Sequence, residues 1–163
     1  MVSRRRSSEE GHRRKFLAVI DDTPECERAM RYAGMRARNS GGGLVLVYVI
    51  QSGDFQHWLG VEEIMRAEAM EEAESTLANA AEKMRTLLGI DPETRIRQGS
   101  TAEEIHAVIE EDQDIAILVL AAGSAKDGPG PLVSSIAGRG AAFPIPVTVI
   151  PDALSDEEID ALS

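Results

Sequence analysis

Phe16-Leu17-Ala18-Val19-Ile20-Asp21-Asp22-Thr23-Pro24-Glu25-Cys26 is the stretch on which the fold turns. Five apolar residues without alternation run into two aspartates, a hydroxyl and a proline. An unbroken apolar run of this length fits a strand covered on both faces, and the polar residues behind it fit a helix start. Thr23 is expected to cap that helix, Pro24 to sit in its first turn, and Glu25 and Glu27 to face the positive end of its dipole. Cys26, Ala29, Met30, Ala33 and Ala37 then recur at helical spacing until Asn39-Ser40-Gly41-Gly42-Gly43 stops them. Residues 44–50 form a second continuous valine-rich run, again the pattern of a parallel strand.

The alternation continues to the end of the chain. Residues 61–88 put Ile64, Met65, Ala69, Ala73, Leu77, Ala81, Met84 and Leu88 on one helical face, and Gly89 ends the helix. Residues 94–97 read as a short strand whose single aliphatic residue, Ile96, implies exposure on one side. Gly99-Ser100-Thr101-Ala102-Glu103-Glu104-Ile105 opens a helix with the capping-box pattern. Residues 115–120 are the most apolar strand and belong at the centre. A small-residue loop, 121–131, precedes a weak helix over 132–142 diluted by Gly138 and Gly140. Val147-Thr148-Val149-Ile150 is a last strand between prolines, and residues 155–162 a short acidic helix. Strand-helix alternation of this kind calls for a doubly wound five-stranded parallel sheet, an α/β fold of flavodoxin-like size. Ligands of such sheets bind at the C-terminal strand ends, which draws attention to loops 21–24, 51–60 and 121–135.

The chain has 163 residues and a net charge of −11. Its basic residues are concentrated at the start: Arg4, Arg5, Arg6, Arg13, Arg14 and Lys15 stand against Glu9 and Glu10, which leaves −15 for the rest. An acidic body argues against a general nucleic-acid binder. Residues 1–14 lack periodicity and read as a disordered basic leader whose removal leaves the melting temperature unchanged. They also lack the apolar segment of a secretory signal. No apolar run approaches the ~20 residues of a membrane span, so the expected location is the cytoplasm. The division is thus a leader over 1–14, an α/β domain over 15–151 and an acidic helical tail over 152–163. Cys26 is the single cysteine, which excludes an internal disulfide.

The Asp21-Asp22 pair invites comparison with phospho-receiver chemistry. That chemistry needs a carboxylate after the third strand and a lysine after the fifth, where this chain has Arg97-Gln98-Gly99 and Val149-Ile150-Pro151. Two readings remain: a strand-end carboxylate that recognises a base or ribose, or an acid satisfied by helix N–H groups. A phosphate cradle in loop 121–131 would draw on Gly123, Gly128 and Gly130, but Pro129 and Pro131 each remove a donor. No Walker A pattern exists. Ser134-Ser135 can bind an anion or cap the following helix. His12, His57 and His106 are scattered, and no zinc spacing or Ser/His/Asp set can be assembled. Cys26 reads as a small buried hydrophobe. The role of Phe55 and Trp58 in loop 51–60 stays open.

Five segments in order resemble the universal stress protein family over about residues 15–151. Asp21-Asp22-Thr23-Pro24-Glu25-Cys26-Glu27-Arg28-Ala29-Met30 is similar to the family's D-x-S-xx-S-xx-A-L junction. Val47-Tyr48-Val49 is similar to its second-strand end, and residues 99–105 to its G-x-x-A-E-E-I helix start. The apolar fourth strand and the closing P-V-x-V-I strand complete the set. The resemblance implies strand order 3-2-1-4-5, the fold shared with adenine-nucleotide hydrolases, and a stress-linked role. Nucleotide-binding members carry G-x-x-G, nine residues, then G-S or G-T after the fourth strand. The corresponding positions here are Ala121, Ser124, Ser134 and Ser135, so all three glycines are replaced.

The resulting expectation is a non-enzymatic stress or regulatory protein with weak or no ATP binding and no bound cofactor. The alternative is an ATP-binding switch using Asp21, Thr23 and the backbone of Val49 for adenosine, and Ser124, Ser134, Ser135 and Lys126 for phosphates. A third is an enzyme of the same shape, against which the missing acid/base constellation counts. The uncharged last strand, with Val147 and Val149 at a sheet edge, predicts a homodimer, as the resemblance also implies. A regulatory protein partner is expected, and neither nucleic acid nor membrane.

Overall fold

The structure, a computed structural model, describes residues 4–51, 62–123, 130–137 and 143–163. Five parallel strands, β1 (Lys15–Val19), β2 (Gly43–Ile50), β3 (Glu93–Gln98), β4 (Ile115–Ala121) and β5 (Val147–Ile150), form one sheet in the order β3-β2-β1-β4-β5. Helices α1 (Cys26–Ser40), α2 (Glu62–Leu88), α3 (Thr101–Glu111), α4 (Pro131–Ala137) and α5 (Asp156–Leu162) complete the chain.

The unbroken apolar runs are explained by the two cores. Phe16, Ala18, Leu44 and Leu46 point into one, with Met30 and Ala33 of α1, Leu77 and Met84 of α2 and Ile159 of α5. Leu17, Val19, Val45 and Val47 point into the other, with Ile105, Val108 and Ile109 of α3 and Ile136 of α4. A strand buried on both faces has no polar side to alternate with. β3, at the edge, carries Glu93, Arg95 and Arg97 and has no fully buried residue.

Two helix starts differ from the sequence reading. α1 begins at Cys26 with Glu25 in the cap position and no side-chain cap. Thr23 instead folds back: its N–H and its hydroxyl both donate to Asp21 Oδ1. Thr23 lies two residues ahead of the cap position and belongs to an Asx turn with Asp21 instead. At α3, Ser100 occupies the cap position but its side chain makes no cap bond. Gly99 has φ 143°, and Glu104 Oε1 lies 2.7 Å from where a Cβ would stand, so only glycine fits this turn.

The leader is the larger correction. Within residues 4–14, Arg5 Nη1 donates to the carbonyl oxygens of Ile109 (2.7 Å), Asp112 (3.2 Å) and Ile115 (3.2 Å). The Arg6 N–H donates to Gln113 O (2.9 Å), and His12 Nδ1 lies 2.7 Å from Asp114 Oδ1. At the start of β1, Lys15 Nζ bridges Asp112 and Glu93, each at 2.8 Å. Burial works against the Lys15 charge, yet these two carboxylates hold its ammonium above the usual lysine value. α3 has no basic residue in its own last turn, and Asp112 and Asp114 follow it. The leader supplies cations where a helix C-terminus and two carboxylates need them, so it is docked rather than disordered.

At the other end, Ser155 Oγ accepts the Glu158 N–H (3.2 Å) and starts α5. Arg31 Nε and Nη2 grip the Asp160 carboxylate, both at 2.7 Å, and Ile159 is fully buried. That guanidinium holds Asp160 below the usual carboxylate range. Among the described residues, no helix is long and apolar enough to cross a membrane.

Candidate functional site

The sheet order puts its switch point between β1 and β4, and every strand hands over to its helix at the same end of the sheet. A cleft of about 460 Å³ opens there. Its floor is Val19 and Ile20 with Val49. One wall is Asp21 and the other is Gly99, Ser100, Thr101 and Ala102 at the start of α3. Gln51, Leu132 and Ser135 complete the lining. Gln51 Nε2 donates to Thr101 Oγ1 (3.2 Å), tying the end of β2 to the start of α3 across the cleft's edge.

Asp21 is half-buried, and the Thr23 N–H reaches its Oδ1 at 2.9 Å. Its carboxylate is therefore held by its own loop, with Oδ1 satisfied. Asp21 is also the one ionisable side chain among the lining residues described. The neighbourhood is acidic: burial raises the Tyr48 phenol, and Asp22, Glu72 and Asp21 raise it further. Cys26 stands behind the loop with its thiol on Asp21 O at 3.6 Å, and burial pushes it up to about 11. That makes it a poor nucleophile at neutral pH. Among the described residues, no group of three or more His, Cys, Asp and Glu side chains is arranged to hold a metal.

The side expected to take phosphates is built differently. Ala121 is the last residue of β4 and pairs with Ile150. The following carbonyl, Ala122 O, accepts from Arg28 Nη2 (2.8 Å). Gly130 precedes α4, whose first residue, Pro131, has no N–H to offer. The Ser134 N–H donates to Gly130 O (3.0 Å), and its side chain is exposed.

Of the residues singled out from sequence, the structure brings Asp21, Val49 and Ser135 into one cleft. Thr23 lines a small recess beside it, with Cys26, Ala121 and Gly130. Ser134 faces solvent. Ser124 and Lys126, and likewise Phe55, His57, Trp58, Gly138 and Gly140, lie outside the described residues. Sequence reasoning missed Gln51, Ser100 and Thr101 as lining groups. Gly99-Ser100-Thr101 carried a signal, because it sits at the C-terminal end of a parallel strand, but the capping-box pattern in the same residues masked it.

At the far edge of the sheet, no strand among the described residues pairs with the outer side of β5. Val149 is 42 % exposed and Val147 half-buried. Both border an apolar groove of about 320 Å³ that also contains Val133, Ile136, Phe143 and Ile145.

Comparison with known proteins places this geometry. The model of the universal stress protein family matches residues 12–151. A search of curated proteins finds no match. Among solved structures, universal stress protein UspA from Lactobacillus plantarum is 17% identical, with a TM-score of 0.70, covering 84% of this chain and 97% of that one. A universal stress family protein from Burkholderia pseudomallei is 22% identical (TM-score 0.64; 84% and 95% covered). The universal stress protein from Archaeoglobus fulgidus, solved in complex with dAMP, is 20% identical (TM-score 0.60; 84% and 97% covered). At these identities the likeness is one of fold.

Proposed function

The chain belongs to the universal stress protein family, and from that premise we propose that it is a non-enzymatic, cytoplasmic stress-response regulator that binds ATP weakly or not at all. The observation that carries this reading is the phosphate side of the cleft. Ala121 and Ser134 stand at two glycine positions of the nucleotide-binding pattern, and Pro131 opens α4. Close approach of backbone amides to a polyanion needs glycines and free N–H groups, and each of these substitutions works against it. The only charge among the described lining residues is the Asp21 carboxylate, which repels a triphosphate. The protein then acts through protein contacts rather than turnover.

A second reading, an ATP-dependent switch, draws on Asp21, Val49 and Ser135 sharing one cleft and on the dAMP complex of the Archaeoglobus relative. Calorimetric titration with ATP and magnesium separates the two. The first reading expects no affinity tighter than the millimolar range, about −4 kcal/mol. A low-micromolar constant, or ATP retained through purification, replaces it with the second.

The β5 edge supports a homodimer. Two copies related by a two-fold axis can pair β5 antiparallel and cover Val147, Val149 and the apolar groove beside them. Val149→Lys sets a charge against its own symmetry mate and is expected to sediment as a monomer where the wild type is a dimer. A wild-type monomer at micromolar concentration, or a dimeric variant, removes the proposal.

A further inference from the structure

Among the described residues the basic leader lines neither the cleft nor the groove at β5, and the family match begins at residue 12. Its sequence places Arg4, Arg5 and Arg6 directly before Ser7 and Ser8. In the structure the Glu9 N–H closes a turn onto Arg6 O (2.9 Å), which puts the two serines at its tip. Ser8 is exposed and Ser7 half-buried. Glu9 gathers two arginines: Arg6 Nε at 2.9 Å and Arg4 Nη2 at 3.6 Å, the latter side chain 87% exposed.

We propose that Ser8 is a phosphorylation site for an arginine-directed serine kinase, and that the phosphoryl group unfastens the leader from the end of α3. Kinases that select basic substrates read arginines two and three residues ahead of the acceptor with acidic grooves; Arg5 and Arg6 hold those positions for Ser8, Arg4 and Arg5 hold them for Ser7, and exposure at the turn selects Ser8. In the transfer, Ser8 Oγ bonds to the γ-phosphorus of ATP. The bond from that phosphorus to the β,γ-bridging oxygen breaks, ADP leaves, and the hydroxyl proton passes to the kinase's catalytic base. Kinase grooves take extended segments, and this turn is closed by a single backbone hydrogen bond.

The position of the turn decides what the phosphate does. A phosphate adds a charge of about −1.5 to −2 at neutral pH. It arrives beside Glu9 and Glu10 and competes with Glu9 for Arg6 and Arg4. It also arrives three residues after Arg5, whose guanidinium now neutralises the negative carbonyl end of α3. Arg5 and Arg6 are drawn toward the phosphate, and the contacts to Ile109, Asp112 and Gln113 are lost.

The test uses the full chain with ATP, magnesium and the catalytic domain of an arginine-directed serine kinase. Mass spectrometry should find one phosphoryl group, located on Ser8, absent from Ser8→Ala and retained in Ser7→Ala. Hydrogen exchange at the Arg6 amide, now protected by Gln113 O, should quicken by about tenfold in the phosphorylated chain. An Arg5→Gln chain should show the same quickening without phosphate. No incorporation, incorporation that survives Ser8→Ala, or an unchanged exchange rate at Arg6 in the phosphorylated chain overturns the proposal. Ser8 makes no core contact, so the alanine variant tests the site in a folded protein.

Discussion

Replacing Arg5 by methionine keeps the aliphatic stem of the side chain and removes its guanidinium. One nitrogen, Nη1, serves three carbonyls, at 2.7 Å from Ile109 O and 3.2 Å from Asp112 O and Ile115 O. Hydrogen bonds from a charged donor contribute about 1.5–3 kcal/mol each in favourable cases. Three acceptors sharing one nitrogen do not add, and the site is only part-buried, so water replaces some of what is lost. The expected loss is about 2–3 kcal/mol, to which desolvation of Ile109 O and loss of the cation at the α3 C-terminus both contribute. For a chain of this length, 1 kcal/mol moves the melting temperature by about 2–4 °C, which gives a drop of about 4–12 °C. Circular dichroism melts at fixed protein concentration measure it, with exposed Arg13→Met as the control that should stay within about 0.5 kcal/mol. An Arg5→Met protein that melts with the wild type would show that the Arg5 guanidinium contributes nothing to stability.

Two other outcomes rest on the packing of α1. A Cβ on Gly34 would stand 2.8 Å from Leu88 Cδ1 and 2.9 Å from Met84 Sδ, so Gly34→Ala should wedge α1 from α2 and cost about 1–3 kcal/mol in urea unfolding; an unchanged midpoint would mean those side chains move aside freely. Asp160 is lowered by its Arg31 hydrogen bonds, so its contribution is present above the unfolded carboxylate value and is lost as pH falls below about 4. Asp160→Asn should therefore flatten the acid limb of the stability profile, and two parallel limbs would show that the pair contributes nothing.

The central strands were legible because nothing but burial on both faces explains residues 16–20, 44–50 and 115–120, and β3 was legible as an edge because its charges had nowhere to go inside. Asp21 and Val49 were legible as residues lining the cleft because the C-terminal ends of neighbouring parallel strands open on the same side of the sheet. Thr23 was misread because the Asx turn with Asp21 carries the chain two residues further before the helix begins, which leaves Glu25 and not Thr23 in the cap position. Gln51 and Thr101 meet only after β2 and β3 have paired, so neither stretch alone announces the contact. The leader was misread for a related reason. Its partners lie about a hundred residues away at the end of α3, and a charge count that sees a basic start and an acidic body does not say which carbonyls the arginines will reach.

The pairing of Lys15 with Ile115 bears on how the chain is synthesised. A ribosome adding about 5–20 residues per second finishes β1 roughly 5–20 s before β4 can join it. Through that interval Phe16, Leu17, Ala18 and Val19 present an unpaired, apolar strand edge to every other nascent chain nearby, the condition under which strands misassociate. The Ile109, Asp112 and Ile115 carbonyls that will hold Arg5 have not yet been made either. Five arginines stand ahead of this apolar segment, in the position of gatekeeper residues that keep such segments apart by repulsion. The same side chains that fasten the finished fold would first serve as its solubility guard, and they change roles when the fourth strand emerges.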